Sequence, residues 1–258
     1  MVVAIVIGVI VVAALVALNI SGNARERERQ AAMAAAMGGT VGWPSAEWRQ
    51  QHSRIGLCPY PSKAGYKAPI HGHAAGAPFT TFLVEHQTMF QNMITTWRHT
   101  AVVIEGVDRS VDRLDLLSTQ GEWLLEFNNK SVEHRRFSSG NEEFDRWYLG
   151  LTPNHPEQAR QLLTRPVMAA AYSIVQIAPT ARIRVNEGAT ICWIRGVHDR
   201  DSAAYLEIMR LTTELATAIN QAVAQLNTGN HTSAEAHDYP VVMTRTARSL
   251  ASAVTSPS

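Results

Sequence analysis

The sequence predicts an α+β protein: an N-terminal transmembrane helix, then an antiparallel sheet with helices packed on one face and a long C-terminal helix. Three observations carry this reading. Residues Met1 to Leu18 contain no charged side chain. Short β-branched runs separated by turn-sized intervals come next. Between Tyr205 and Leu226, apolar residues recur at three- and four-residue spacing along one stripe.

The apolar run sets the first boundary. Eighteen helical residues span about 27 Å at 1.5 Å each, close to a hydrocarbon thickness of about 30 Å. Its Val, Ile and Leu side chains each favour insertion by about 0.3 to 0.6 kcal/mol, and in lipid the backbone must bond internally, so the segment is read as helix. A cleaved signal peptide is the competing reading, and Ala13-Ala14-Leu15-Val16-Ala17 offers it small residues. No Lys or Arg precedes the run, and the run is long, so an anchor over residues 1–20 is favoured. Arg25, Arg27 and Arg29 on its C-terminal flank place the rest of the chain in the cytoplasm by the positive-inside rule.

Residues 21–39 read as a helical juxtamembrane stalk, polar first and then Ala-rich, ended by Gly38-Gly39. The soluble α+β domain is expected over 40–226, with Trp43 and Trp48 as its first large anchors. Pro59, Pro61, Gly65 and Pro69 mark an irregular loop. Ile70–Ala74 and Pro78–Gln87 then form a hairpin across a three-residue interval, Ala75-Gly76-Ala77. In the second of these runs Thr80, Phe82, Val84 and His86 share one face. Thr100 to Val107 is a further β-branched run, and Asp108 to Glu126 mixes loop with short elements. Val132–Phe137 and Phe144–Leu149 read as short strands or their approaches.

A helix is expected from the Thr152–Glu157 region, with Pro156 at a first-turn position and Pro166 breaking or kinking it before Val167–Ile174. Arg182 to Ile194 reads as a hairpin turning at Asn186-Glu187-Gly188, with Ile183 and Val185 alternating against Arg182 and Arg184. Asp201 or Ser202 opens the long helix, whose outer side carries Glu207, Arg210 and Glu214. Residues 227–258 are polar and small and read as a disordered tail.

Composition narrows the function classes. With 23 Lys and Arg against 22 Asp and Glu, net charge +1 and no basic cluster, no nucleic-acid partner is expected. Cys58 and Cys192 form neither a disulfide framework nor a C-x-x-C pair.

The order of features resembles a family. A Trp near the domain start is followed by Gly76-Ala77-Pro78-Phe79, then His134-Arg135-Arg136-Phe137, then Phe144-Asp145-Arg146-Trp147-Tyr148. A Leu-Leu-Thr-Arg-Pro segment at 162–166, the hairpin and the final helix complete it. Over about residues 40–225 this resembles a family of uncharacterised single-span actinobacterial membrane proteins, classed as a domain of unknown function. The resemblance implies membrane attachment and names neither an activity nor catalytic residues.

Chemistry-bearing motifs are few. His71 and His73 stand two apart in a strand, so both imidazoles point to one face and could meet one metal, with His52, Cys58 or His86 as a third ligand. No spaced second pair accompanies them, and the expected register turns His86 away. There is no nucleophile elbow, P-loop or dinucleotide fingerprint, and no cofactor is expected. His198-Asp199-Arg200-Asp201 reads as a helix cap. The sequence therefore favours a membrane-tethered protein-interaction or scaffold module over an enzyme. Its partners would be the bilayer, through residues 1–20, and a protein met by the sheet or the long helix. A metal-dependent enzyme using His71 and His73 is the alternative.

Overall fold

The computed structural model describes residues 24–52, 56–58, 64–90, 93–121, 135–195 and 202–228. The expected anchor over 1–20, the 198–201 cap motif and all but the first two residues of the tail lie outside these. Among the described residues no helix is long and apolar enough to cross a membrane. The fold is α+β, as the sequence predicts.

Helix α1 covers 24–36. It is followed by β1 (Gly39–Val41), the one-turn α2 (Trp48–Gln51), β2 (Ala64–Ala74), β3 (Ala77–Phe90), β4 (Met93–Glu105) and β5 (Leu114–Ser118). Next come β6 (Arg135–Phe137), α3 (Glu142–Trp147), β7 (Tyr148–Thr152), α4 (Pro156–Leu162) and α5 (Arg165–Ile177). The chain closes with β8 (Arg182–Asn186), β9 (Ala189–Arg195) and α6 (Ser202–Asn227). The nine strands among the described residues join one sheet in the order β1-β2-β3-β4-β9-β8-β5-β7-β6. Every pairing is antiparallel. The C-terminal hairpin β8–β9 thus fills the gap between β4 and β5. Both edge strands, β1 and β6, are three residues long, which leaves little open ladder for unwanted pairing.

Alternation along each strand divides the side chains between two cores. On one face Phe79, Val102, Ile104, Leu114, Leu116, Ile183, Val185 and Ile194 pack against Val167, Ile174 and Val175 of α5 and Ile208, Leu215 and Ile219 of α6. On the other, Phe82, Val84, Ala101, Val103, Leu117, Ile191 and Trp193 are covered by Trp48 and Leu57, with Trp43 and Tyr66 alongside. Each large side chain so buried is worth about 1.5 to 3 kcal/mol. All five residues of β5 are buried. A strand covered on both faces has no polar alternation to announce it, which is why it is hidden within the Asp108–Glu126 stretch.

Several expectations are corrected. The segment expected as a strand from Phe144 is a helix up to Trp147, and the strand starts at Tyr148. Asn141 accepts a hydrogen bond from the Phe144 amide through Oδ1 at 3.0 Å, and Glu142, Glu143 and Asp145 favour the N-terminal dipole. The break expected at Pro166 is present: α4 ends at Leu162, and Pro166 occupies the first turn of α5, where its missing N–H costs nothing.

The β2–β3 hairpin turns on two residues, Ala75 and Gly76, because Ala74 pairs with Ala77. Both have positive φ, 49° and 85°, the mirror-image turn whose twist suits antiparallel strands. That single residue of register moves His71 opposite Thr80 and onto the face that carries His86. The expectation that His86 faces away from His71 is therefore overturned.

Helix α1 leaves its first six residues exposed, Arg25 to Arg29 among them. Its end docks: Ala34 and Met37 are buried in the helix-side core, and Gln30 Nε2 donates to the Pro69 carbonyl at 3.1 Å. Gly38, at φ 64°, ends the helix and turns the chain into β1.

Candidate functional site

A cluster of polar and aromatic side chains lies on the sheet face away from α5 and α6. At its centre Asp115 of β5 is fully buried among guanidinium groups. Its Oδ1 accepts from Arg184 Nε at 2.8 Å and Arg182 Nη2 at 3.3 Å, and its Oδ2 from Arg113 Nε at 2.8 Å. Burial alone would raise this carboxyl, but Arg184, Arg182 and Arg113 together outweigh it and hold it well below the usual carboxylate range. Arg184 is pushed down to about 10, first by its own burial and then by Arg182 and Arg113.

Trp193 of β9 lies beneath this cluster. Arg184 and Arg182 sit over its ring at 5.2 and 5.6 Å from the centroid, and its indole N–H donates to the Leu57 carbonyl at 3.0 Å. Gly56, at φ 77°, runs so close that a Cβ there would stand 2.4 Å from Arg184 Nη1. The 56–58 segment is thus strapped onto the arginine–tryptophan platform.

Towards β1 an aromatic cluster takes over. Trp43 stacks on Trp48 at 5.5 Å and meets Phe82 at 5.2 Å and Tyr66 at 6.4 Å, while Arg49 lies 5.3 Å from the Trp43 ring centre. Trp43 and Tyr66 are half-buried. Trp48 Nε1 donates to Glu105 Oε1 at 2.9 Å; His52 stacks on Trp48 and sets Nε2 3.3 Å from Glu105 Oε2. His52 Nδ1 lies 2.9 Å from the Trp48 carbonyl, so both ring nitrogens are engaged and His52 is held rather than offered as a base.

His71 and His73 share this face, as the strand spacing requires. His71 Nδ1 lies 2.9 Å from the Gly42 carbonyl; a carbonyl only accepts, so Nδ1 is the donor. His73 is exposed. His86 is six residues from Thr80 along β3, about 20 Å away. Among the described residues no group of three or more His, Cys, Asp or Glu is placed to hold a metal. Cys58 lies on this face, whereas Cys192 is buried on the helix face with its thiol pushed up to about 12 by burial; neither forms a disulfide.

Two buried groups escape the sequence reading. Arg182 and Arg184 alternate with Ile183 and Val185, a pattern that reads as a wet strand face, and only the pairing of β8 with β5 brings Asp115 to them. His86 and His99 lie too far apart in sequence to be linked, yet their rings stack across β3 and β4.

The fold and this surface define a class: an α+β protein on a single nine-stranded antiparallel sheet, helices on one face and a polar–aromatic surface on the other. No protein-family model and no curated protein matches the sequence. Among solved structures the chain is similar to the crystal structure of the mycobacterial trehalose monomycolate transport factor A, TtfA, at 12% identity, over 76% of this chain and 93% of that one. The TM-score is 0.44, too remote a likeness to bear on activity or partners.

Proposed function

We propose that this protein is a membrane-tethered interaction module, held by one span over residues 1–20 with its sheet domain on the cytoplasmic side, as the resemblance to single-span membrane proteins also implies. The observation that carries the reading is the docking of α1. The helix begins four residues after the expected span, and its end is packed into the domain through Ala34 and Met37. Tether and sheet therefore move together, at a reach of about 20 Å set by a helix of this length. Exposed Arg25, Arg27 and Arg29 at the membrane-proximal end favour the cytoplasmic side. The surface offered to a protein partner is Trp43, Tyr66 and Arg49, the residue types that dominate binding energy at interfaces.

The test uses the full chain in its own membrane. It carries a C-terminal topology reporter and a photo-crosslinking residue at position 43 or 66, with position 214 on the outer side of α6 as control. A cytoplasmic reporter signal and a protein adduct from 43 and 66 but not 214 are expected. An external signal would overturn the orientation, and an absence of adducts at both positions would overturn the interaction surface.

One observation favours a second reading, a borderline divalent ion on His71 and His73. The Gly42 carbonyl fixes the tautomer of His71 in the way a hydrogen-bonded carbonyl or carboxylate fixes a metal-ligating imidazole. Zinc titration of the purified chain, with His73→Ala as control, decides it: identical heats for the two chains would remove the reading.

A further inference from the structure

His86 and His99 are 1% and 0% exposed, and their rings stack at 5.5 Å with planes 13° apart. They stand diagonally across the β3–β4 ladder, where His86 pairs with Trp97 and Val84 with His99. The groups facing them come from three neighbouring strands. Arg195 of β9 lies 5.2 Å from the Trp97 ring centre, Arg182 belongs to β8, and Tyr66 of β2 sits opposite Val84. Glu85 and Arg98 point to the opposite face, where they pair at 2.9 Å. His86, Arg195 and Arg182 each oppose a proton on His99.

We propose that the His86–His99 pair is an acid-sensitive lock on the helix-free face of the sheet. Uncharged, the two rings are aromatic plates that join β3 to β4 in a dry core. When the surroundings acidify, a proton on either ring puts a cation into that core beside two guanidinium groups, and this end of the sheet opens to hydrate it.

Burial lowers both imidazoles, His99 to about 3 with the further help of His86, Arg195 and Arg182. The sign comes from linkage. An opened chain has ordinary imidazoles near 6.5, so below about pH 6.5 the open form takes up protons that the closed form refuses. Stability is intact above about pH 7 and is lost progressively as the pH falls towards 3. Each histidine raises the open-to-closed ratio by up to about tenfold per pH unit, and the pair by up to about a hundredfold.

The experiment is denaturant unfolding of the full chain in detergent micelles between pH 7.5 and 5, beside His86→Phe/His99→Phe, which keeps two stacked rings but does not titrate. The wild-type unfolding constant is expected to climb steeply as the pH falls, with a slope shallower by one to two protons in the double variant. Equal slopes would overturn the lock. Should the variant not fold, exchange of the imidazole C2 protons in the wild type reports each ring directly. Midpoints near 6.5 for both rings in the folded chain would overturn the proposal; rings that stay neutral until the fold opens would support it.

Discussion

Arg184 Nε lies 2.8 Å from Asp115 Oδ1 on neighbouring strands, with both side chains almost wholly withdrawn from water. This pair is the pivot of the helix-free face. Arg182 and Arg113 converge on the same carboxylate, and Arg184 also lies over the ring of Trp193.

Asp115→Asn leaves three guanidinium groups around a neutral amide. Breaking a buried ion pair from one side costs about 3 to 5 kcal/mol, and a loss of that order is expected in denaturant unfolding. Asp115→Leu/Arg184→Met should recover part of it, because no charge of the pair is then left stranded. A wild-type midpoint for Asp115→Asn would refute the central role given to the carboxylate.

The pH dependence of the cluster differs from that of the histidines. Asp115 is depressed, so its contribution is present above the unfolded value of about 3.9 and is lost only as the pH falls through the lower folded value. Between pH 7 and 5 it is silent. Stability lost in that window should therefore be unchanged in slope in Asp115→Asn, as parallel pH titrations of unfolding would show.

Gly72→Ala probes the tether. A Cβ at Gly72 would stand 2.9 Å from Gly39 Cα and 2.9 Å from the Phe79 ring, and the Gly72–Gly39 pair is one of those that join β1 to β2. Overpacking of this kind costs about 1 to 3 kcal/mol. Here it falls on a three-residue strand, so faster amide exchange in β1 and at the end of α1 is expected, with β3 and β4 little changed. Uniform acceleration across the sheet would mean that the strain is not confined to β1 and the end of α1.

Trp193→Phe removes the indole donor to the Leu57 carbonyl and leaves that oxygen buried. The expected cost is about 1 to 3 kcal/mol. Faster exchange should concentrate at the Leu57 and Cys58 amides, since the strap over the arginines loses its fixed hydrogen bond. Unaltered exchange at both amides would show that packing, and not this bond, holds the segment.

The elements legible in the sequence are those set by local pattern. The stripe from Tyr205 to Leu226 forms α6 because three- and four-residue spacing puts its apolar side chains on one side whatever lies opposite. The Arg182–Ile194 hairpin turns at Glu187 and Gly188, where positive φ of 51° and 87° suits a tight reversal. The α+β class and the shared face of His71 and His73 come from the same periodicities.

Tertiary structure alone decided the rest. Whether His86 shares a face with His71 depended on one residue of hairpin register, and the ladder settled it by pairing Ala74 with Ala77. Arg182 and Arg184 carry the alternation of a wet strand until β5 places Asp115 against them and Trp193 beneath. His86 and His99 become partners only across β3 and β4. Periodicity reports which side of an element is apolar. What meets that side, and whether a polar group there is wet or paired, is fixed by strands distant in sequence, because only their pairing sets distance and excludes water.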